Sequence, residues 1–88
     1  MSWSVELTKE AAKALRKMDP QQSRRLRKAL AAIETLDDPR GRGKALTGTL
    51  SGLWRYRVGD YRIVCDLIDG RLVVLVIDID HRSSIYDD

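Results

Sequence analysis

Three arginines set at alternate positions on two adjoining segments are the residues of this chain best suited to chemistry. They lie in Gly52-Leu-Trp-Arg-Tyr-Arg-Val-Gly-Asp-Tyr-Arg-Ile-Val64, which reads as two strands joined by the two-residue turn Gly59-Asp60. Counting outward from the turn sets Val58 opposite Tyr61, Arg57 opposite Arg62, Tyr56 opposite Ile63 and Trp54 opposite Cys65. Trp54, Tyr56, Val58, Tyr61, Ile63 and Cys65 then share a core face, and Arg55, Arg57 and Arg62 share the other. Like charges facing each other across a ladder cost about 0.2–1 kcal/mol. That cost makes sense if an anion sits there, and the anion that suits several guanidinium forks is a phosphate.

The elements that must hold this hairpin follow from the rest of the pattern. Trp3, Val5 and Leu7 alternate with Ser2, Ser4 and Glu6 as a short first strand. Thr8 is placed to cap a helix running to about Met18, with Ala11, Ala12, Leu15 and Met18 inward. Asp19-Pro20 starts a second helix, whose stripe is Leu26, Ala29, Leu30, Ile33 and Leu36. Asp37 to Lys44 is a loop by composition, and its glycines lack nucleotide-loop spacing. Thr47 to Gly52 is a second irregular stretch. After the hairpin, Asp69-Gly70 signals a turn into a last strand, Leu72 to Ile79. That strand is apolar on both faces from Val73 to Ile77, as a central or doubly covered strand would be. The expected fold is α+β, in the order β-α-α-β-β-β, with a helical hairpin packed on a mostly antiparallel sheet.

Length and composition bound the rest. Eighty-eight residues make one domain, residues 1–88, with a single modest core. The net charge of +3 divides unevenly, +5 over residues 1–44 and −2 over 45–88. The basic half is either a nucleic-acid surface or a helix pair with solvated Lys and Arg faces; the arginine cluster in the acidic half is the more specific signal. Cys65 stands alone on a core face, which suits an inert thiol in a reducing compartment better than a nucleophile. Neither a signal peptide nor a membrane-length apolar run is visible, so a soluble cytoplasmic protein is expected, with no membrane partner.

The order of elements and four sets of residues resemble the RelE/ParE superfamily of bacterial type II toxin–antitoxin toxins. The sets are Gly43-Lys-Ala-Leu46, the arginine hairpin from Gly52 to Val64, the apolar strand Leu72-Val-Val-Leu-Val-Ile77, and His81-Arg-Ser-Ser-Ile-Tyr86. Within it the chain looks like the RelE branch, with a full cationic set on the sheet and an aromatic after His81-Arg82. The resemblance implies a RelE-like fold and a ribosome-dependent mRNA endoribonuclease, or mRNA interferase, that cuts in the decoding site. It also implies a RelB-like cognate antitoxin, the 70S ribosome and mRNA as partners, and operator DNA bound through the antitoxin. Two other readings stay open: a ParE-type inhibitor of DNA gyrase, and an inactive corepressor that binds antitoxin.

Such RNA cleavage uses the substrate's own 2′-hydroxyl and no metal or other cofactor, leaving a 2′,3′-cyclic phosphate and a free 5′-hydroxyl. The enzyme must align the attack, neutralise the phosphorane and manage two protons. By resemblance, Arg55 and Arg57 stand where some RelE toxins carry lysines, one credited with taking the 2′-hydroxyl proton. Arginine is a poor base, because it stays protonated. Arg62 matches the arginine that stabilises the transition state, Arg82 the one that assists the leaving oxygen, and Tyr86 the aromatic that stacks on a base. His81 is the natural proton carrier by pKa. Counted without a bulge from the Asp69-Gly70 turn it shares the face of Arg62, whereas one bulge brings Arg82 round instead. Arg42 and Lys44 could hold RNA from the loop before the sheet. Asp66, Asp78 and Asp80 show no metal-ligand spacing, and one histidine builds no site, so no metal is expected. Asp87 and Asp88 are a second departure, since related chains often put a basic residue after the tyrosine, and carboxylates beside a phosphate site would weaken RNA binding.

Overall fold

The computed structural model of the chain describes residues 2–81, and the expected positions Arg82, Tyr86, Asp87 and Asp88 lie outside them. Two helices cover one face of a five-stranded mixed sheet, an α+β architecture. The elements are β1 (Ser4–Leu7), α1 (Lys9–Lys17), α2 (Pro20–Glu34), β2 (Lys44–Ala45), β3 (Trp54–Val58), β4 (Tyr61–Ile68) and β5 (Val73–His81). The strands lie in the order β1-β5-β4-β3-β2, with β1 parallel to β5 and the other pairs antiparallel. The β2 strand is an addition to the expected order, and the two irregular stretches each contain a short 3-10 turn.

Local chemistry explains the helix ends. The Thr8 hydroxyl accepts from the Ala11 backbone N–H at 3.2 Å and donates to the Ile77 carbonyl at 3.0 Å, so one side chain caps α1 and ties it to β5. Asp19 precedes Pro20 at the start of α2, though its side chain makes no capping bond. Leu15, Leu26, Leu30 and Ile33 from the helices meet Tyr56, Ile63, Cys65, Val74, Val76 and Ile79 from the sheet in one buried cluster. This is the expected core face, with β5 in the interior of the sheet between β1 and β4.

The hairpin register matches the sequence reading pair for pair, from Val58↔Tyr61 through Arg57↔Arg62 to Trp54↔Cys65. Gly59, at φ 60°, takes the left-handed place in the turn. The β4–β5 connection is longer than a two-residue turn: a 3-10 turn over Asp69–Arg71 is followed by Leu72 at φ 53°. Along β5, Cys65 pairs with Val76 but Val64 pairs with Asp78, so Ile77 is an extra, bulged residue. Beyond the bulge the faces of β5 exchange. Ile79 packs into the core, and Asp78 and Asp80 turn to the arginine side. No helix among the described residues is long and apolar enough to cross a membrane.

Cys65 is fully buried, and burial pushes its thiol up to about 12. Because the folded value is raised, this contribution to stability is complete below the unfolded thiol's pKa and is lost as pH rises toward the folded one. Iodoacetamide at pH 8 is therefore expected to leave Cys65 unmodified in the native protein and to label it fully in denaturant. Mass spectrometry with and without denaturant checks this, and rapid native labelling would contradict it.

Candidate functional site

The sheet face opposite the helices collects charge in rows that cross the strands. One row runs Arg57 on β3, Arg62 on β4 and Asp80 on β5. The next runs Lys44 on β2, Arg55 on β3, Val64 on β4 and Asp78 on β5. Adjacent strands lie about 4.8 Å apart, so each row spans the width of a nucleotide's ribose and phosphate. Arg62 is 9% exposed, Arg55 is half-buried and Arg57 is exposed. The Nε atoms of Arg55 and Arg62 are buried, so the stems of these side chains lie against the sheet.

The loop that leads into β2 is pinned to β3 and to the β4–β5 connection. The Tyr56 hydroxyl donates to the Pro39 carbonyl at 2.7 Å, and burial raises the phenol above its ordinary range. The Arg40 guanidinium grips both carboxylate oxygens of Asp69 at 2.9 Å, linking this loop to the β4–β5 connection. That hydrogen-bonded pair holds the Asp69 carboxyl below the ordinary carboxylate range. The Trp54 indole N–H donates to the Arg42 carbonyl at 2.8 Å. Lys44 follows as a β2 residue directly beside Arg55, rather than as a loop residue. Arg42 and Arg57 also border a hollow of about 120 Å³ between α2 and β3.

Of the residues expected to form the site, Arg55, Arg57, Arg62 and Lys44 share this face. The contacts of Arg42 lie on the helix side instead: its carbonyl accepts from the core-face Trp54, and it borders the hollow beside α2. His81 does not share it: the bulge at Ile77 sets it opposite Tyr61, where the two rings meet edge-on with centroids 5.1 Å apart. Its face is that of Ile79 and the helices. Arg82 and Tyr86 lie outside the described residues.

The sequence reading missed Asp78 and Asp80 as members of this face. Burial first, then a hydrogen bond and charge repulsion from Asp78, raise the Asp80 carboxyl above its ordinary value, and Arg62 partly opposes the shift. A signal was available. An unbulged register would have set Asp78 opposite Ile63 in the core, where an ionised carboxylate is not tolerated. Two carboxylates at alternate positions, flanked by isoleucines, therefore called for a bulge before Asp78.

Residues 5–86 match the family model for the ParE toxin of the type II toxin–antitoxin system, parDE, and the chain belongs to this RelE/ParE superfamily of toxins. It is similar to the toxin RelG of Mycobacterium tuberculosis (strain ATCC 25618 / H37Rv), at 30% identity over 92 residues and 98% of each chain. Its structure resembles that of the toxin–antitoxin complex RelBE2 from Mycobacterium tuberculosis, with a TM-score of 0.82, 26% identity and 94% of each chain covered. The archaeal RelE–RelB complex from Pyrococcus horikoshii is similar at a TM-score of 0.73 and 26% identity, over 97% of this chain and 100% of that one.

The loop geometry gives a contrast between two neighbouring glycines. Gly43 sits at φ 80°, and a Cβ there would run into the Arg55 carbonyl and the Trp54 indole nitrogen, whereas a Cβ on Gly41 meets nothing. Gly43→Ala should lower stability by about 1–3 kcal/mol, and Gly41→Ala should change it by less than about 0.5 kcal/mol. Urea unfolding of both variants checks this, and equal midpoints would refute the pinned-loop geometry.

Proposed function

We propose that this type II toxin is a metal-independent, ribosome-dependent mRNA endoribonuclease that cleaves by 2′-hydroxyl attack. The observation that carries the reading is the Arg57↔Arg62 pair on the open face, with Arg55 and Lys44 in the adjoining row. Two guanidinium groups facing each other across a ladder repel unless an anion lies between them, and a scissile phosphate is such an anion. In this mechanism Arg62, nearly buried and held by the sheet, meets the charge that grows on the phosphorane. Arg55 and Arg57 hold the phosphate and lower the pKa of the attacking hydroxyl. Arg42 and Lys44 hold the RNA backbone beyond the cut. Arg82 assists the departing oxygen and Tyr86 stacks on a base.

The natural regulator in this reading is a RelB-like cognate antitoxin, and the toxin–antitoxin complex meets operator DNA through the antitoxin. Both similar solved structures named above are toxin–antitoxin complexes, which supports this partner. The site of action is the translating ribosome in the cytoplasm. A second reading, inhibition of DNA gyrase, is favoured by the parDE description of the matching family model.

The test is 5′-end mapping of a reporter mRNA in a reconstituted translation reaction. Cuts inside the coding sequence are expected only when ribosomes and toxin are both present. Arg62→Ala should slow cutting by about 100- to 1,000-fold, the usual loss on removing a charge-stabilising donor, while circular dichroism shows an intact fold. Full cutting by a folded Arg62→Ala protein would refute the assignment of Arg62. Intact mRNA combined with gyrase-dependent DNA breaks would establish the second reading instead.

A further inference from the structure

We infer that Asp80 is the group that takes the 2′-hydroxyl proton, a role that deepens the endoribonuclease reading and rests on it. Arginine stays protonated and cannot act as the base, and His81 stands on the other face beside Tyr61. Among the described residues of the arginine face, the groups able to accept a proton at neutral pH are therefore carboxylates. Asp80 is the one placed directly across the ladder from Arg62, which itself faces Arg57. Asp80 stands one strand spacing, about 4.8 Å, from Arg62 and two from Arg57, so a phosphate held by Arg62 has this carboxylate on its flank.

The surroundings of Asp80 suit a base. Its own strand contributes Asp78, two positions earlier on the same face; β4 contributes Arg62 and, beyond it, β3 contributes Arg57. On the opposite flank β1 carries Glu6, level with Leu75 and well before Asp80. Burial and Asp78 make the carboxylate more basic than a free aspartate, and the Arg62 charge partly opposes that shift. A base closer in pKa to the working pH is the more effective one.

The step balances with water alone. The 2′-hydroxyl gives its proton to an Asp80 oxygen as its own oxygen forms a bond to phosphorus. The bond from phosphorus to the 5′-oxygen breaks, and that oxygen leaves with the electron pair and takes a proton from water. Asp80 then returns its proton to solvent. The products are a 2′,3′-cyclic phosphate and a 5′-hydroxyl.

Single-turnover cutting on programmed ribosomes, followed across pH with the full chain, tests this. The wild-type rate is expected to rise with pH as Asp80 loses its proton and then level off. Asp80→Asn should cut at least about 100-fold more slowly, the usual scale for losing a general base, with that rise abolished. Because the charged form is disfavoured where it sits, Asp80→Asn should also melt no lower than wild type. Asp80→Glu, which keeps a carboxylate, should retain cutting to within about tenfold, and Asp66→Asn should cut like wild type. Wild-type cutting by Asp80→Asn, or slow cutting with an unchanged pH profile, would overturn the role of Asp80 and leave the nuclease reading standing. No cutting by the wild type on ribosomes would overturn both.

Discussion

One extra residue in β5 decides what the open face of the sheet can do. Up to Cys65↔Val76 the β4–β5 ladder runs in regular register, and beyond it Val64 meets Asp78 because Ile77 is looped out. Without that shift Asp78 would face Ile63 in the core and Ile79 would face Arg62 on the open side. The free energy of burying an ionised carboxylate without a partner is far larger than that of one disrupted ladder position. The bulge is thus enforced by the alternation of Ile77, Asp78, Ile79 and Asp80 itself. It sends Ile79 to the helices and both carboxylates to the arginines in one step.

The arginine face is correspondingly a compromise between folding and binding. Arg57 opposite Arg62 works against the hairpin, and Asp80 on the far side of Arg62 relieves part of that repulsion. The stems of Arg55 and Arg62 lie against the sheet, so their forks have already lost much of their rotamer freedom before any anion arrives. The loop before β2 is also held in place. Pro39, Arg40 and Arg42 are each tied by a separate hydrogen bond to β3 or to the β4–β5 connection, and Lys44 enters the sheet as a strand residue. A cationic row built on strands holds its spacing better than one carried on loops alone.

Most of this was legible in the sequence wherever a short-range rule applied. Gly59-Asp60 fixes a two-residue turn, and from that turn every pair of the β3–β4 hairpin follows by counting. Thr8 and Pro20 mark helix starts for reasons confined to their own neighbourhoods. The failures came where a count crossed a longer connection. Asp69-Gly70 reads as a tight turn, yet the chain takes a 3-10 turn and a left-handed Leu72 before β5 begins. The bulge then reverses parity a few residues later, which moves His81 to the side of Tyr61. Neither β2 nor the loop ties were visible, because a two-residue strand has no period and the Tyr56, Trp54 and Arg40 contacts join residues distant in the chain.

The choice of arginine over lysine on β3 has a consequence for the whole site. A lysine in such a row can be pushed by its cationic neighbours to release a proton, so one residue could both bind phosphate and act as a base. Arginine gives that up: it binds phosphate with better geometry and no proton traffic. In the nuclease proposed above, a site built from Arg55, Arg57 and Arg62 would therefore divide the labour, with phosphate held on β3 and β4 and protons handled by a different side chain. The bulge supplies carboxylates at that boundary, on the strand that pairs with Arg62. Their charge would also oppose RNA binding in that reading, which sets a limit on how many can be tolerated there. The arrangement balances best when a carboxylate is raised in pKa by burial and by its neighbour and partly screened by an arginine, which describes Asp80 beside Asp78 and Arg62.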